Sequence, residues 1–216
     1  MEGDAVDPGP EACSRTMTTF VALLRAVNVS GRNRIPMAEL RRALGGVGLT
    51  GVETYLQSGN AVFDAAGDDP AEQAAAIHAL IGREFDHDVR VLVLSAAELA
   101  RVAAEMPFVG AADFDDKWVH AAFLSAPADE AGFAGLTLAA QPGERAQLAG
   151  RVVYLYLPHG YGRTKLNNAY FERALKTSAT TRNWRTVLAL AHMSARGGGA
   201  CDVEISDCHW RRGDQT

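Results

Sequence analysis

The order in which short apolar runs alternate with helical patterns constrains the fold of this chain most. Phe20–Leu24 is a continuous apolar run, which predicts a buried strand. Ser58-Gly59-Asn60 is a hairpin signal, and Asp69-Pro70-Ala71-Glu72 combines a cap, a proline and an acidic residue, as helix starts do. The predicted elements are a strand at Thr19–Ala26, a helix from Pro36 to Gly45-Gly46, strands at Val52–Leu56 and Ala61–Phe63, a helix from Asp69 to about Phe85, and a strand at Val89–Leu94. This βαββαβ order is that of the ferredoxin-like, or split βαβ, arrangement.

A second half with a similar element order follows an acidic loop that contains Asp113, Asp115 and Asp116. Before the loop, Ser95-Ala96-Ala97-Glu98 is a capping box that predicts a helix to about Met106. After it we predict a strand at Trp118–Leu124, a helix at Asp129–Leu138, strands at Arg145–Leu148 and Val152–Leu157, and helices at Asn167–Leu175 and Trp184–Met193. The second half is therefore βαββα plus a helix, and alternation at Val203 and Ile205 is a candidate for its last strand.

These elements predict an α+β protein of two ferredoxin-like halves, with domain bounds at residues 17–112 and 113–195. We expect residues 1–16 and 196–216 to be a disordered and a flexible tail, because glycine, proline and charge dominate them and no periodic apolar face is present. No apolar run reaches the 18 or so residues that span a bilayer, and the first 16 residues lack the apolar segment of a signal peptide. We therefore expect a cytoplasmic protein without a membrane partner.

The three cysteines and the adjacent histidine do not predict a metal site. Cys13, Cys201 and Cys208 are an odd number and lie near the chain ends, which favours a reducing compartment. Cys201, Cys208 and His209 could in principle ligate a metal, but their spacing matches no zinc pattern. The sequence identifies no cofactor.

Positive charge is concentrated in two segments of an otherwise acidic chain. The net charge is −5, yet residues 25–34 contain three arginines and no acidic residue. Residues 151–185 contain five arginines, two lysines and one glutamate. A basic site on an acidic body would attract one anionic ligand and repel generic nucleic acid, so we expect no DNA partner. The alternative is two solvated basic faces.

Three polar segments adjoin apolar runs and supply the candidate ligand-binding residues. In the first, Arg25, Asn28 and Asn33 could line an anion nest, or the asparagines could simply satisfy the loop backbone. In the second, Gln57 could face a ligand at a strand end, whereas Asn60 fits a turn role and is kept as a candidate. Arg and Asn side chains at the edge of a core are costly without partners, which is why these segments predict a built site.

The third group lies at two predicted helix starts, whose N-termini favour anions. Arg163 and Lys165 lie in a glycine-punctuated loop that lacks the spacing of a P-loop, with Thr164 as a cap. Arg182 and Asn183 precede Trp184, and the alternative there is ordinary capping by Thr181 with Trp184 in the core. We predict that Arg25, Asn28, Gln57, Lys165 and Arg182 surround one cleft that binds a phosphate or carboxylate.

Two other functions stay open. An enzyme acting on such a ligand could use His159, Tyr161 or Lys165, although no Gly-x-Ser-x-Gly elbow is present. An RNA-binding protein is less favoured, because no strand carries the aromatic pattern of RNA-stacking sheets and the net charge is negative.

The motifs resemble those of the bacterial domain-of-unknown-function 1697 family. The matching stretches are Leu23-Leu24-Arg25-Ala26-Val27-Asn28-Val29-Ser30-Gly31, Ile35-Pro36-Met37, Tyr55-Leu56-Gln57-Ser58-Gly59-Asn60, Tyr156 through Leu166, and Thr180 through Trp184. Ala26 and Ser30 stand where the family has glycines, and Thr164 stands in place of a serine. The resemblance extends over roughly Met17 to Met193. It implies two α+β ferredoxin-like halves and no particular activity.

Overall fold

The first half forms a four-stranded antiparallel sheet. The computed structural model describes residues 16–29, 31, 33–110, 114–128, 133 and 141–197. Its first elements are β1 (Met17–Leu24), α1 (Met37–Gly46), β2 (Thr50–Tyr55), β3 (Asn60–Ala66), α2 (Pro70–Phe85), β4 (Val91–Ser95) and α3 (Ala96–Ala104). The strand order is β2-β3-β1-β4. The predicted helix starts are present: the Asp69 side chain accepts from the Ala71 amide, and the Ser95 side chain accepts from the Glu98 amide.

The second half forms a sheet of the same strand arrangement. After a short 3-10 turn at Asp116–Trp118 come β5 (Val119–Leu124), β6 (Arg145–Ala149), β7 (Val152–Tyr156), α4 (Asn168–Leu175), β8 (Ala179–Asn183) and α5 (Trp184–Gly197). The strand order is β6-β7-β5-β8, again with antiparallel neighbours. The α+β prediction is confirmed. The predicted helix at Asp129–Leu138 lies outside the described residues except for Phe133.

The sequence patterns did not identify the last strand of the second half. β8 occupies Ala179–Asn183 and pairs with β5, whereas the sequence analysis assigned Thr180–Trp184 to a helix start. Thr180 and Thr181 are β-branched and suit a strand. The sequence signal for β8 is weak because its last two residues, Arg182 and Asn183, are polar and interrupt the apolar alternation typical of a strand. Val203 and Ile205 lie outside the described residues.

The two sheets share one core, with α3 and α5 packed between them. Side chains of β1 alternate: Val21 and Leu23 face this shared core, while Phe20, Ala22 and Leu24 face α1 and α2. Trp184 and Val187 of α5 are buried in the same cluster as Val21. The buried Tyr154 hydroxyl of β7 donates to the Val102 carbonyl of α3 at 3.0 Å. Both halves therefore contribute to one core. The domain bounds at residues 17–112 and 113–195 remain a prediction.

None of the helices in the described part of the chain combines the length and apolar character needed to cross a membrane.

Candidate functional site

A cleft of about 450 Å³ lies between the two halves. The first half contributes the end of β1, the loop after it and the β2–β3 turn, through Arg25, Ala26, Val29, Leu56 and Ser58. The second half contributes β5, β8, the loop before α4 and the start of both α4 and α5, through His120, Tyr161, Asn168, Thr180, Thr181, Arg182, Asn183 and Thr186. This volume is within the range of small-molecule sites.

Arg182 bridges the halves, and all of its N–H donors form hydrogen bonds with neutral acceptors. From β8, its Nε donates to Asn60 Oδ1 at 2.6 Å and its Nη2 to the Leu24 carbonyl at 2.7 Å. The remaining bonds go to Thr180 Oγ1 (2.9 Å) and to the carbonyls of Thr181 (3.0 Å), Gly59 (3.3 Å) and Ser58 (3.5 Å). A guanidinium has five N–H donors, so no free donor is left to reach a ligand directly.

The charge of Arg182 is nevertheless not neutralised by any carboxylate of the described residues. Burial lowers the pKa of Arg182 to about 10, and Tyr161 acts in the opposite direction. The side chain therefore remains protonated at neutral pH. A half-buried cation whose hydrogen-bond acceptors are all neutral leaves a positive potential in the adjoining cleft, because a low-dielectric wall screens it less than water does.

The β2–β3 turn presents its carbonyls to Arg182 because Gly59 lets it approach β1 closely. Gly59 has φ +76°, and a Cβ there would lie 2.8 Å from Leu24 Cβ. The Leu24 amide donates to the Gly59 carbonyl at 2.8 Å. Asn60 is fully buried, and its Nδ2 donates to the Tyr55 carbonyl at 2.9 Å. Asn60 thus has the turn role that the sequence suggested, and it also accepts a hydrogen bond from Arg182.

Arg25 also joins the halves, but it does so through a carboxylate. Its Nε donates to the Ala179 carbonyl at 3.0 Å, and its Nη2 pairs with Glu172 at 3.0 Å. Glu172 also accepts from Arg90 Nη1 at 3.2 Å and from the Ala179 amide at 3.1 Å. Arg25 lines the cleft, yet its charge is shared with Glu172.

His120 and Tyr161 form an aromatic wall of the cleft. Their rings are 5.3 Å apart between centroids, with an interplanar angle of 23°. Burial lowers the pKa of His120, while its contact with the Trp118 carbonyl acts in the other direction. His120 is therefore neutral at pH 7. Its Nδ1 lies 3.2 Å from the Trp118 carbonyl, which assigns the proton to Nδ1 and leaves Nε2 as an acceptor.

Sequence reasoning missed His120 and considered only other histidines. A usable signal existed, since His120 interrupts the apolar run Val119–Leu124 on the strand face that carries Ala122 and Leu124. A polar ring at such a position asks for an explanation. His159, the histidine weighed for acid–base work, is exposed, and its Nε2 lies 2.9 Å from the Pro142 carbonyl.

Amide and hydroxyl groups supply the remaining polar surface of the cleft. Thr181 Oγ1 donates to Asn168 Oδ1 at 2.6 Å. The Asn168 Nδ2 donors have no partner within the described part of the chain. Asn183 Oδ1 accepts from the Thr186 amide at 2.8 Å and so caps α5. Capping was the alternative considered for this helix start, although Thr181 was expected to provide it, and Trp184 lies in the core as that alternative proposed.

The predicted site residues come together only in part. Arg25, Arg182 and Asn183 line the cleft. Asn28 holds its own loop, donating to the carbonyls of Ile35 and Gln57 at 2.8 Å each, and Asn33 Nδ2 donates to the Ala26 carbonyl at 3.2 Å. The side chains of Gln57, Arg163 and Lys165 are exposed and lie outside the cleft lining.

A smaller cavity of about 290 Å³ lies beside α2, at the outer edges of β4 and β8. Ala74, Ala75 and Val91 give it apolar walls, and Arg25 and Arg90 lie at it with Glu172 between them. These two guanidinium groups share one carboxylate, whereas Arg182 has no carboxylate partner among the described residues.

The sequence model of the family described as Protein of unknown function (DUF1697) matches residues 17–154, and the chain belongs to this family. The solved structure of conserved bacterial protein SP0830 from Streptococcus pneumoniae is similar, with a TM-score of 0.61 and 22% identity. The similarity covers 83% of this chain and 99% of that one, and at this identity it shows a shared fold. No curated protein matches the chain.

Proposed function

Because membership of the DUF1697 family carries no activity with it, we propose the function from the cleft: it binds a small anionic ligand that bears a phosphate or carboxylate group. The observation that carries this proposal is Arg182. A protonated guanidinium beneath the cleft, without a carboxylate partner in the described residues, favours an anion as its neighbour.

Arg182 acts on the ligand through its electrostatic field, since its donors are already engaged. Direct hydrogen bonds would come from groups that still have capacity, of which Asn168 Nδ2 is the clearest. Desolvation between the two halves strengthens such bonds to a charged acceptor. Arg163 and Lys165 would add long-range attraction from their exposed positions, with little effect on the bound state.

The test compares two substitutions that both break the Arg182 bridge but differ in charge. Arg182→Lys keeps a cation and Arg182→Gln does not. Titration calorimetry with ribose 5-phosphate and inorganic phosphate should give an affinity for the Lys variant about tenfold higher than for the Gln variant, corresponding to ~1.4 kcal/mol. Thermal melts of both variants control for folding, and equal affinities at equal stability would remove the electrostatic role.

An enzyme acting on the same ligand is the second candidate, and His120 is the observation that favours it. A neutral imidazole with its Nδ1 hydrogen held by a carbonyl presents Nε2 as a base. His120→Asn keeps a group able to donate to the Trp118 carbonyl but removes that base. Loss of turnover with retained binding would support an enzyme, whereas binding without any turnover by the wild type leaves a binding protein.

A further inference from the structure

We infer that the ligand of this cleft carries a planar ring as well as its anionic group, which places it in the class of nucleoside monophosphates. The inference rests on the proposed function and adds the chemical nature of the rest of the ligand. It follows from two surfaces that line the cleft, an aromatic one from the second half and an aliphatic one from the first half.

The first surface is the ring pair His120–Tyr161. His120 comes from β5, and Tyr161 comes from the loop before α4, so two separate elements place their rings nearly parallel at the cleft. Tyr161 is half-buried and retains exposed ring surface. A planar heteroaromatic ring gains from offset stacking or edge contact with such a wall, whereas a sugar phosphate does not.

The second surface is the lip formed by Leu56 and Val29, which belong to the first half. Both line the cleft, and both are more than half exposed, at 54% and 53%. Single exposed apolar residues are common. These two, however, come from different loops and border the same cleft as the aromatic wall, so both are available to contact a ring held in it.

The backbone conformation of Leu56 is unfavourable for a leucine, which suggests that the side chain has a function at this position. Its φ is +55°, the left-handed region, which is uncommon for a leucine and readily adopted by asparagine or glycine. Neither backbone preference nor burial explains a leucine at this turn position. Ala26, which also lines the cleft, has the same φ of +55°. Unfavourable backbone conformations of this kind cluster at ligand sites.

The polar groups fit the two ends of such a ligand. The uncompensated charge of Arg182 and the Asn168 Nδ2 donors favour the phosphate. His120 Nε2 accepts a hydrogen bond from an exocyclic amine or a ribose hydroxyl. A cleft of about 450 Å³ is large enough for a mononucleotide, whereas inorganic phosphate would leave most of it to water.

The experiment is a calorimetric panel on the full chain. The probes are AMP, GMP, CMP and UMP, then ribose 5-phosphate, adenosine and inorganic phosphate. At least one mononucleotide should bind about tenfold or more tightly than ribose 5-phosphate, because stacking adds to the phosphate contact. Ribose 5-phosphate equal to every mononucleotide would overturn the ring inference and leave the anion proposal standing. Adenosine equal to AMP would overturn the anion proposal, and absence of binding by every probe would overturn both.

Variants locate the ring. Tyr161→Phe keeps the aromatic face and should keep affinity for the preferred mononucleotide, whereas Tyr161→Leu should lower it roughly five- to tenfold. Both should leave ribose 5-phosphate affinity unchanged. An equal loss for both probes in the Leu variant would indicate a general structural effect and overturn the ring assignment.

Leu56→Asn tests the lip with a variant that we expect to be more stable than the wild type, so weaker binding could not be attributed to unfolding. Asparagine tolerates the left-handed conformation, so this variant should melt at a higher temperature than the wild type while binding the mononucleotide several-fold more weakly. Val47→Asn is the matched control, since Val47 is equally exposed at 50% and lies outside the cleft lining. Unchanged mononucleotide affinity in Leu56→Asn would exclude the lip from the site.

Discussion

Arg25 and Arg182 both connect the two halves of this protein, and they do so by opposite electrostatic means. Arg25 reaches a carboxylate, Glu172, which a second arginine shares. Arg182 reaches only carbonyls, a hydroxyl and an amide oxygen. The first arrangement fixes a contact and partly cancels charge, since two arginines share one carboxylate. The second fixes a contact and leaves the full charge of Arg182 beside the cleft, which is why it carries the anion proposal.

The largest expected effect comes from breaking the neutral bridge. Arg182→Ala leaves the Leu24 carbonyl and the buried Asn60 Oδ1 without this donor, so the free energy of unfolding should fall by about 3 kcal/mol or more. Urea denaturation measures the change. A loss smaller than that of Arg25→Ala would contradict the view that Arg182 is the principal connection.

Breaking the ion-paired bridge should cost less. In Arg25→Ala, Glu172 still receives Arg90 and the Ala179 amide, and both partners of the lost pair are partly exposed, so the expected loss is about 1 kcal/mol. The stability losses of the Arg25 and Arg182 variants should also differ in their dependence on salt. The Arg25 effect should shrink near ~1 M salt, where screening is strong. The Arg182 effect should not change, because its partners carry no charge.

The smallest effect concerns acid stability at the aromatic wall. Burial lowers the pKa of His120 in the folded protein below its unfolded value of about 6.5, so the unfolded chain binds the extra proton first. Stability from this group is complete above pH 6.5 and falls as pH decreases toward the folded pKa. The wild type should therefore lose more stability than His120→Asn between pH 7 and about 5, as measured by parallel urea denaturation. Parallel losses would show that His120 does not titrate in this way.

Those elements whose signals are local could be predicted from the sequence, and β8 shows the limit. Asp69 and Ser95 act as caps because a cap depends on neighbours within three residues. β8 ends in Arg182 and Asn183, whose partners lie more than 100 residues away in the first half or at the start of α5. A strand stabilised by such contacts carries no apolar alternation to be recognised.

The candidate site was predicted in location more accurately than in role. The polar segments around Arg25, Gly59 and Arg182 do meet at one cleft, because polar residues beside apolar runs need partners. The residue types in these segments do not predict which hydrogen-bond partners each side chain has in the fold. Asn28 and Asn60 hold turns, Arg182 holds both halves together, and His120, which no motif marked, faces the cleft.

The position of α5 also governs how the chain can mature during synthesis. The face of the first sheet that carries Val21 and Leu23 packs against α3 and α5, and α5 ends at Gly197. While the ribosome is still making the second half, that sheet is complete in sequence but lacks one of its two covering helices. A nascent chain in this state exposes apolar surface that attracts chaperones or other chains. The apolar face of the first sheet can therefore be fully covered only after α5 has been synthesised and has left the ribosome.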